Sequence, residues 1–170
     1  MERHILSVLA KNSSGVLTRV AGLFSRRGFN IDSITAGKTE DKDISRMTIV
    51  LTEDVAVVEQ VVKQLNKLED IIKIEELVPE NSVYRELVLI KVQADAEKRS
   101  AINEVVKIFR SKIVDVSQTT LTIELTGDES KINALINLLQ EYGIKELVRT
   151  GICGLERGQS SLKEKESMYL

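Results

Sequence analysis

The sequence predicts an α+β fold in which the element order βαββαβ occurs twice. The chain has 170 residues, which is enough for two small domains. Short runs rich in Val, Ile and Leu alternate with segments whose apolar residues recur at helical spacing. The only proline, Pro79, separates two halves that repeat the same order. Each half should form a four-stranded antiparallel sheet with two helices on one face.

The first half contains four predicted strands and two predicted helices. The strands are rich in apolar residues and cover residues 4–11, 30–39, 45–52 and 71–78. The first helix covers residues 15–27, and Gly28 follows it in a position suited to a left-handed C-terminal cap. Thr52 can cap the second helix, whose apolar residues run from Val58 to Leu68 at helical spacing.

The second half repeats this order after a linker at residues 79–82. Its predicted strands cover residues 87–93, 112–116, 120–126 and 144–149. Its predicted helices cover residues 96–110 and 129–141, each with an apolar face. The outer face of each sheet is expected to lack cover, which favours packing against another domain or subunit. The polar segment from Gly158 to Lys165 is expected to be mobile.

The composition argues against several classes of function. Because the net charge is only −2, there is no electrostatic reason to expect nucleic acid or an acidic membrane as a partner. The single cysteine, Cys153, cannot form an internal disulfide or a cysteine-based metal site. His4, the only histidine, is expected to lie on the surface at a strand end. With no apolar run of membrane-spanning length and no signal peptide, we expect a cytoplasmic protein.

The junction between the first strand and the first helix is the candidate binding site. It reads Asn-Ser-Ser-Gly over residues 12–15 and leads into the helix. Such residues are common in ordinary turns and helix caps. The free N–H groups and the positive end of the helix dipole would equally suit a small anion such as a carboxylate. The residues alone leave both readings open.

The pattern of residues 12–31 resembles the first half of the ACT domain, a small amino-acid-sensing module. More closely, the chain resembles the small regulatory subunit of acetolactate (acetohydroxyacid) synthase. Arg3–Val8, Tyr84–Leu87 and Arg149–Gly151 match that family in the same order. The resemblance implies two ferredoxin-like βαββαβ domains. Residues 1–78 would be an ACT domain for effector binding and dimerisation, residues 83–157 a second ferredoxin-like domain, and residues 158–170 a polar tail.

The resemblance also implies a regulatory, non-catalytic role in branched-chain amino acid biosynthesis. The chain would activate the large catalytic subunit and confer feedback inhibition by valine. Thiamine diphosphate, magnesium and FAD would belong to that large subunit, and no cofactor or metal is expected on this chain. The family's effector pocket forms across a homodimer interface, and the matching residues here are Asn12, Gly15, Val16, Leu17, Asn30 and Ile31.

Other functions fit the residues less well. An RNA-recognition domain shares the βαββαβ order, but residues 45–51 lack the aromatic side chains that such a domain exposes on its third strand. A small enzyme would need an acid–base or nucleophile cluster, and none is evident. The matching junction of the second half, residues 93–97, has no glycine and carries Asp95 and Glu97, which would repel a carboxylate. A stand-alone amino-acid sensor with an ACT domain remains the alternative, and co-purification with a large subunit would separate the two.

Overall fold

The computed structural model describes residues 1–164, which form two compact units. Unit 1 comprises Met1–Val83 together with residues 152–164, and unit 2 comprises Tyr84–Gly151. The mixed α+β class and the two repeats of the same order are as predicted. The boundary differs from the expectation, because residues 152–157 group with the first unit and not with the second. Residues 165–170 of the expected tail lie outside the described residues.

Unit 1 contains one antiparallel sheet and two helices. Its strand order is β2-β3-β1-β4, so β1 and β3 are central and β2 and β4 form the edges. The elements are β1 (Glu2–Lys11), α1 (Val16–Arg27), β2 (Ser33–Lys38), β3 (Ile44–Glu53), α2 (Val55–Leu65) and β4 (Ile71–Glu76). A 3₁₀ turn at Pro79–Asn81 follows β4. The core between the sheet and the helices includes Leu6, Val8, Val20, Phe24, Ile49 and Leu65.

The start of α2 differs from the prediction. Asp54 and not Thr52 is the residue before the first helical turn, and its side chain makes no capping hydrogen bond. Thr52 instead donates its hydroxyl to Asp32 Oδ2 at 2.7 Å. Since β3 continues to Glu53, α2 begins later than predicted, and Thr52 lies two residues before the capping position at Asp54.

Unit 2 has the same topology as unit 1. Its strand order β6-β7-β5-β8 again places two central strands between two edges. The elements are β5 (Ser82–Gln93), α3 (Arg99–Ile108), β6 (Lys112–Val116), β7 (Thr120–Gly127), α4 (Glu129–Leu139) and β8 (Ile144–Arg149), with β5 entering the unit at Tyr84. The core includes Val88, Ile90, Ile102, Ile123, Ile132 and Leu135. On the outer face of the sheet, Val148 is 58% exposed beside a depression of about 320 Å³.

The segment after unit 2 adds a strand that the sequence did not predict. This strand, β9 (Cys153–Glu156), pairs with β5, although its residues group with unit 1, and Arg157 donates its backbone N–H to Asn81 O. Leu162 is only 6% exposed and lines a cavity of about 140 Å³ with Leu9 and Arg46. Residues 161–163 therefore lie against the outer face of the first sheet. The mobility of the segment from Gly158 stays a prediction, although Leu162 within it is buried.

Two of the motifs that carry the family resemblance meet in unit 2. Glu86 is 4% exposed, and Arg149 donates from Nε to Glu86 Oε1 at 2.9 Å and from Nη2 to Oε2 at 2.6 Å. The backbone N–H of Gly151 donates to the same carboxylate, and Arg149 Nη1 donates to Asn133 on α4. The hydrogen bond to Glu86 raises the pKa of Arg149 above its ordinary value. The pair thereby fastens β5, β8 and α4 together.

Replacing Arg149 by Met should destabilise the protein. The substitution leaves the buried Glu86 carboxylate without its counter-ion, so the free energy of unfolding should fall by about 2 to 4 kcal/mol. The loss should stay below that of a fully buried pair because Arg149 is 31% exposed. Urea unfolding followed by circular dichroism measures the change. Lys91→Met is the matched control: it removes the exposed Lys91–Glu146 pair at 2.9 Å and should have little effect. Equal losses in the two variants would contradict the role assigned to the Glu86–Arg149 pair.

Candidate functional site

The loop between β1 and α1 is held by hydrogen bonds to the β2–β3 hairpin. Asn12 donates its backbone N–H to Asp43 O at 2.8 Å and its side-chain Nδ2 to Lys42 O at 2.8 Å. Ser45 donates its hydroxyl to Asn12 Oδ1 at 2.9 Å. The Asn12 amide is therefore a structural element of the loop. It keeps one donor hydrogen and one acceptor lone pair for a ligand, because an amide has two of each.

Gly15 begins α1 without a side-chain cap. It is the residue before the first helical turn, its φ is +83°, and no acidic residue lies in that turn. The N–H groups at this end of the helix, with the dipole behind them, can receive an anion. Leu17 is 49% exposed beside them. Val16 is 6% exposed and packs into the unit 1 core, so its side chain cannot line a site here, and its backbone N–H makes a long bond to Ser13 O at 3.5 Å.

A second set of contacts braces the same loop from the other side. Asp70, which precedes β4, accepts from Arg19 Nε at 2.7 Å and from Ser13 Oγ at 3.2 Å. Asp70 also accepts at its backbone oxygen from Lys11 N at 2.8 Å. Arg19 lies one helical turn after Gly15, and sequence spacing places it on the same end of α1. Asp70 lies 51 residues further along the chain than Arg19, so no local pattern could have identified it.

Asn30 and Ile31 lie at the opposite end of α1. The helix has 12 residues and hence a length of about 18 Å, and both residues follow its C-terminal cap at Gly28. Asn30 is exposed, and its amide makes one contact, Nδ2 to Asp32 Oδ1 at 3.3 Å. Ile31 is half-buried against the core. Within one chain, the six predicted residues therefore form two groups, residues 12–17 and residues 30–31. The two groups are too far apart to contact the same small ligand.

The other candidate groups have structural surroundings. His4 is 7% exposed, so the prediction of a surface histidine was wrong, and its Nδ1 lies 2.5 Å from Glu76 Oε1. Strand β1 continues to Glu2, which places His4 inside the sheet and not at its end. Within residues 1–164 no three or more His, Cys, Asp or Glu side chains are grouped to hold a metal ion. In the same part of the chain, every helix is too short or too polar to cross a membrane.

Comparison with known proteins decides the family. The model for the acetohydroxyacid synthase small subunit-like ACT domain matches residues 6–73, and the model for the small subunit of acetolactate synthase matches residues 85–158. The chain belongs to the acetolactate synthase small subunit family. A probable acetolactate synthase small subunit of Archaeoglobus fulgidus is 58% identical over 92% of this chain and 98% of the relative. That of Mycolicibacterium smegmatis is 54% identical over 91% of each.

A solved structure supports the same conclusion for this small subunit. The crystal structure of the acetolactate synthase small subunit from Thermotoga maritima superposes with a TM-score of 0.87 at 44% identity. The match covers 94% of this chain and 100% of that one. The predicted fold and the family resemblance are therefore confirmed, and the chain is a regulatory subunit of acetolactate synthase.

Gly15→Ala should cost more stability than Gly28→Ala. Both glycines have positive φ, +83° and +69°, which strains any other residue by roughly 1 to 2 kcal/mol. A Cβ at Gly28 would meet no atom within 4 Å, whereas one at Gly15 would lie 2.9 Å from Arg19 Nη1. The Arg19 guanidinium must then shift, and we expect the shift to weaken its bond to Asp70. Urea unfolding of the two variants measures the difference, and equal losses would show that the Arg19 contact adds nothing.

Proposed function

We propose that this small subunit binds the large catalytic subunit of acetolactate synthase, raises its activity and confers feedback inhibition by valine. Thiamine diphosphate, magnesium and FAD would act on the large subunit. The family assignment supports the partner. The main observation behind the proposed effector site is that its predicted residues lie at the two ends of α1. A pocket that contains both groups would therefore need residues from two chains.

The chemistry of the two groups suits an α-amino acid. The uncapped N–H groups of α1 and the positive end of its dipole would hold the carboxylate. The amide oxygens of Asn12 and Asn30 would accept from the ammonium group, since each has an acceptor site to spare. The exposed Leu17 and the half-buried Ile31 would form the apolar wall for the isopropyl group.

Edge-to-edge pairing of two copies through β2 would bring the two groups together. Residue Lys38 at the end of β2 pairs with Ser45, which contacts Asn12, so the Asn12 group lies near that end of the strand. Asn30 and Ile31 precede the start of β2. In an antiparallel pair around a two-fold axis, the start of one strand lies beside the end of the other. Asn30 and Ile31 of one copy would then face Asn12 of the second.

The free edge of β2 has unpaired backbone groups for this purpose. Thr39 donates its N–H to Ile44, so alternation along the strand directs Gly37 towards β3 and Ala36 outwards. Ala36 and Gly37 are exposed and carry no bulky side chain to obstruct a second strand. Such an edge is a ready template for strand addition.

Asn30→Ala tests the effector site. Loss of a hydrogen bond to a charged group of valine should weaken binding by about 10- to 150-fold. The fold should be unaffected, because the exposed amide makes only the 3.3 Å contact to Asp32. Calorimetric titration with valine, leucine and isoleucine measures binding, and a valine dose–response curve on enzyme reconstituted with the large subunit measures inhibition.

The matched control for that experiment is Asn103→Ala. Asn103 is an exposed residue on α3, in the unit that does not contain the loop. The Asn103→Ala variant should bind valine with the affinity of the unmodified protein. Unchanged valine affinity in Asn30→Ala would show that Asn30 is only a loop residue and that the pocket is assigned to the wrong place.

Ala36→Pro tests the dimer. Proline removes the outward N–H of Ala36 and places its ring on the free edge of β2, while the neighbouring residues keep their bonds to β3. Sedimentation should show a shift from dimer to monomer, with valine binding lost as well. Ala36→Ser keeps the N–H and should remain dimeric. A dimer in Ala36→Pro that still binds valine would exclude β2 as the interface.

A further inference from the structure

Arg19 and Asp70 form an ion pair that contacts the candidate effector loop and the end of β1 at three points. Arg19 Nε donates to Asp70 Oδ2 at 2.7 Å, and Nη2 approaches the same oxygen at 2.6 Å. Ser13 donates its hydroxyl to Asp70 Oδ1, and Arg19 Nη2 donates to the carbonyl of Ser14 at 3.4 Å. The backbone oxygen of Asp70 receives the N–H of Lys11, where β1 ends.

These contacts do more than pair two surface charges, because they lie in the loop that precedes α1. They link Ser13 and Ser14, which precede Gly15, to Arg19 on the helix that follows it, and the left-handed backbone of Gly15 turns the chain into α1. An unbraced loop of Ser-Ser-Gly would sample many conformations, and binding a ligand would then have to supply the cost of ordering it. Arg19 also neutralises the negative charge of Asp70, which would otherwise repel a carboxylate at this end of the helix.

We infer that Arg19 and Asp70 are positioning residues, which hold the loop at residues 13–15 in the conformation that receives the effector carboxylate. This inference rests on the proposed function, since it concerns the same site. Neither residue needs to touch the effector. Their contribution is to order the N–H groups at the start of α1 before the ligand arrives.

A double-mutant cycle tests the inference. Asp70→Asn keeps an oxygen that can accept from Ser13 but removes the charge, and Arg19→Gln removes the guanidinium. Each should weaken valine binding by about 5- to 10-fold, the range expected for a partly exposed, charge-assisted pair. The double variant should be no weaker than either single one, because both substitutions break the same contact. Arg19→Lys, which keeps the charge but not the forked geometry, should recover part of the affinity.

Two further measurements separate positioning from general loss of stability. Amide hydrogen exchange at residues 14–17 without valine should be faster in Asp70→Asn, while exchange in the β1 core should be unchanged. The melting temperature without valine should fall by no more than about 4 °C. Glu59→Gln is the matched control: it removes a carboxylate paired with Lys63 at 3.8 Å on α2, and neither valine affinity nor loop exchange should change.

Three results would overturn the inference. Asp70→Asn with normal valine affinity would show that the pair is irrelevant to binding. Arg19→Gln with weak binding, beside Asp70→Asn with normal binding and normal exchange, would make Arg19 a direct ligand of the effector. Additive losses in the double variant would separate the two residues. If the unmodified protein binds no branched-chain amino acid, the proposed function fails instead, and unchanged loop exchange in Asp70→Asn would then reject the ordering role independently.

Discussion

Strand β1 lies between β3 and β4 and is buried on both faces. Leu6 and Val8 enter the helix-covered core, while Ile5 and Leu9 are buried on the opposite face. Each such side chain contributes roughly 1.5 to 3 kcal/mol when fully buried, which exceeds the value of any partly exposed ion pair in the unit. Because β1 ends directly at the candidate loop, the sheet fixes where the loop begins. The polar contacts around the loop then determine which conformation the loop adopts.

The periodic signals in the sequence were sufficient for the central elements and failed where tertiary contacts decide. The βαββαβ order followed from apolar spacing, and β6 and β8 have the predicted bounds. The capping role given to Thr52 failed because β3 extends past it to Glu53. Strand β9 and the anchored Leu162 were missed, since a short segment with one buried leucine has no periodicity to detect. Burial of His4 depends on its neighbours across the sheet, which no local pattern reports.

The features of the candidate site also divide into those that the local sequence predicts and those that depend on tertiary contacts. The glycine turn and the helix start at Gly15 were readable because both are local features. The brace from Asp70 was not, because it joins residues from opposite ends of unit 1 in sequence. The Asn12 amide shows a further difficulty: it is bound to Lys42 and Ser45 within the chain, so a substitution there would disturb the loop and a ligand together. Asn30 has no comparable internal role, which makes it the cleaner probe of the site.

The same topology in unit 2 carries a junction with different chemistry. Gln93 Nε2 donates to Asp95 Oδ1 at 2.9 Å, and Asp95 accepts at its backbone oxygen from Lys98. Arg99 Nε donates to Ala94 O at 3.0 Å, so the guanidinium stabilises the junction itself. Both α1 and α3 begin without a side-chain cap and without an acid in the first turn, but the residue before α1 is Gly15 in left-handed backbone, whereas the residue before α3 is Lys98 in right-handed helical backbone. If the unit 1 junction binds an anion and the unit 2 junction does not, the difference would rest on the local backbone and on a few side chains: Asp95 at the unit 2 junction would repel a carboxylate, whereas Asp70 beside the unit 1 loop is paired with Arg19.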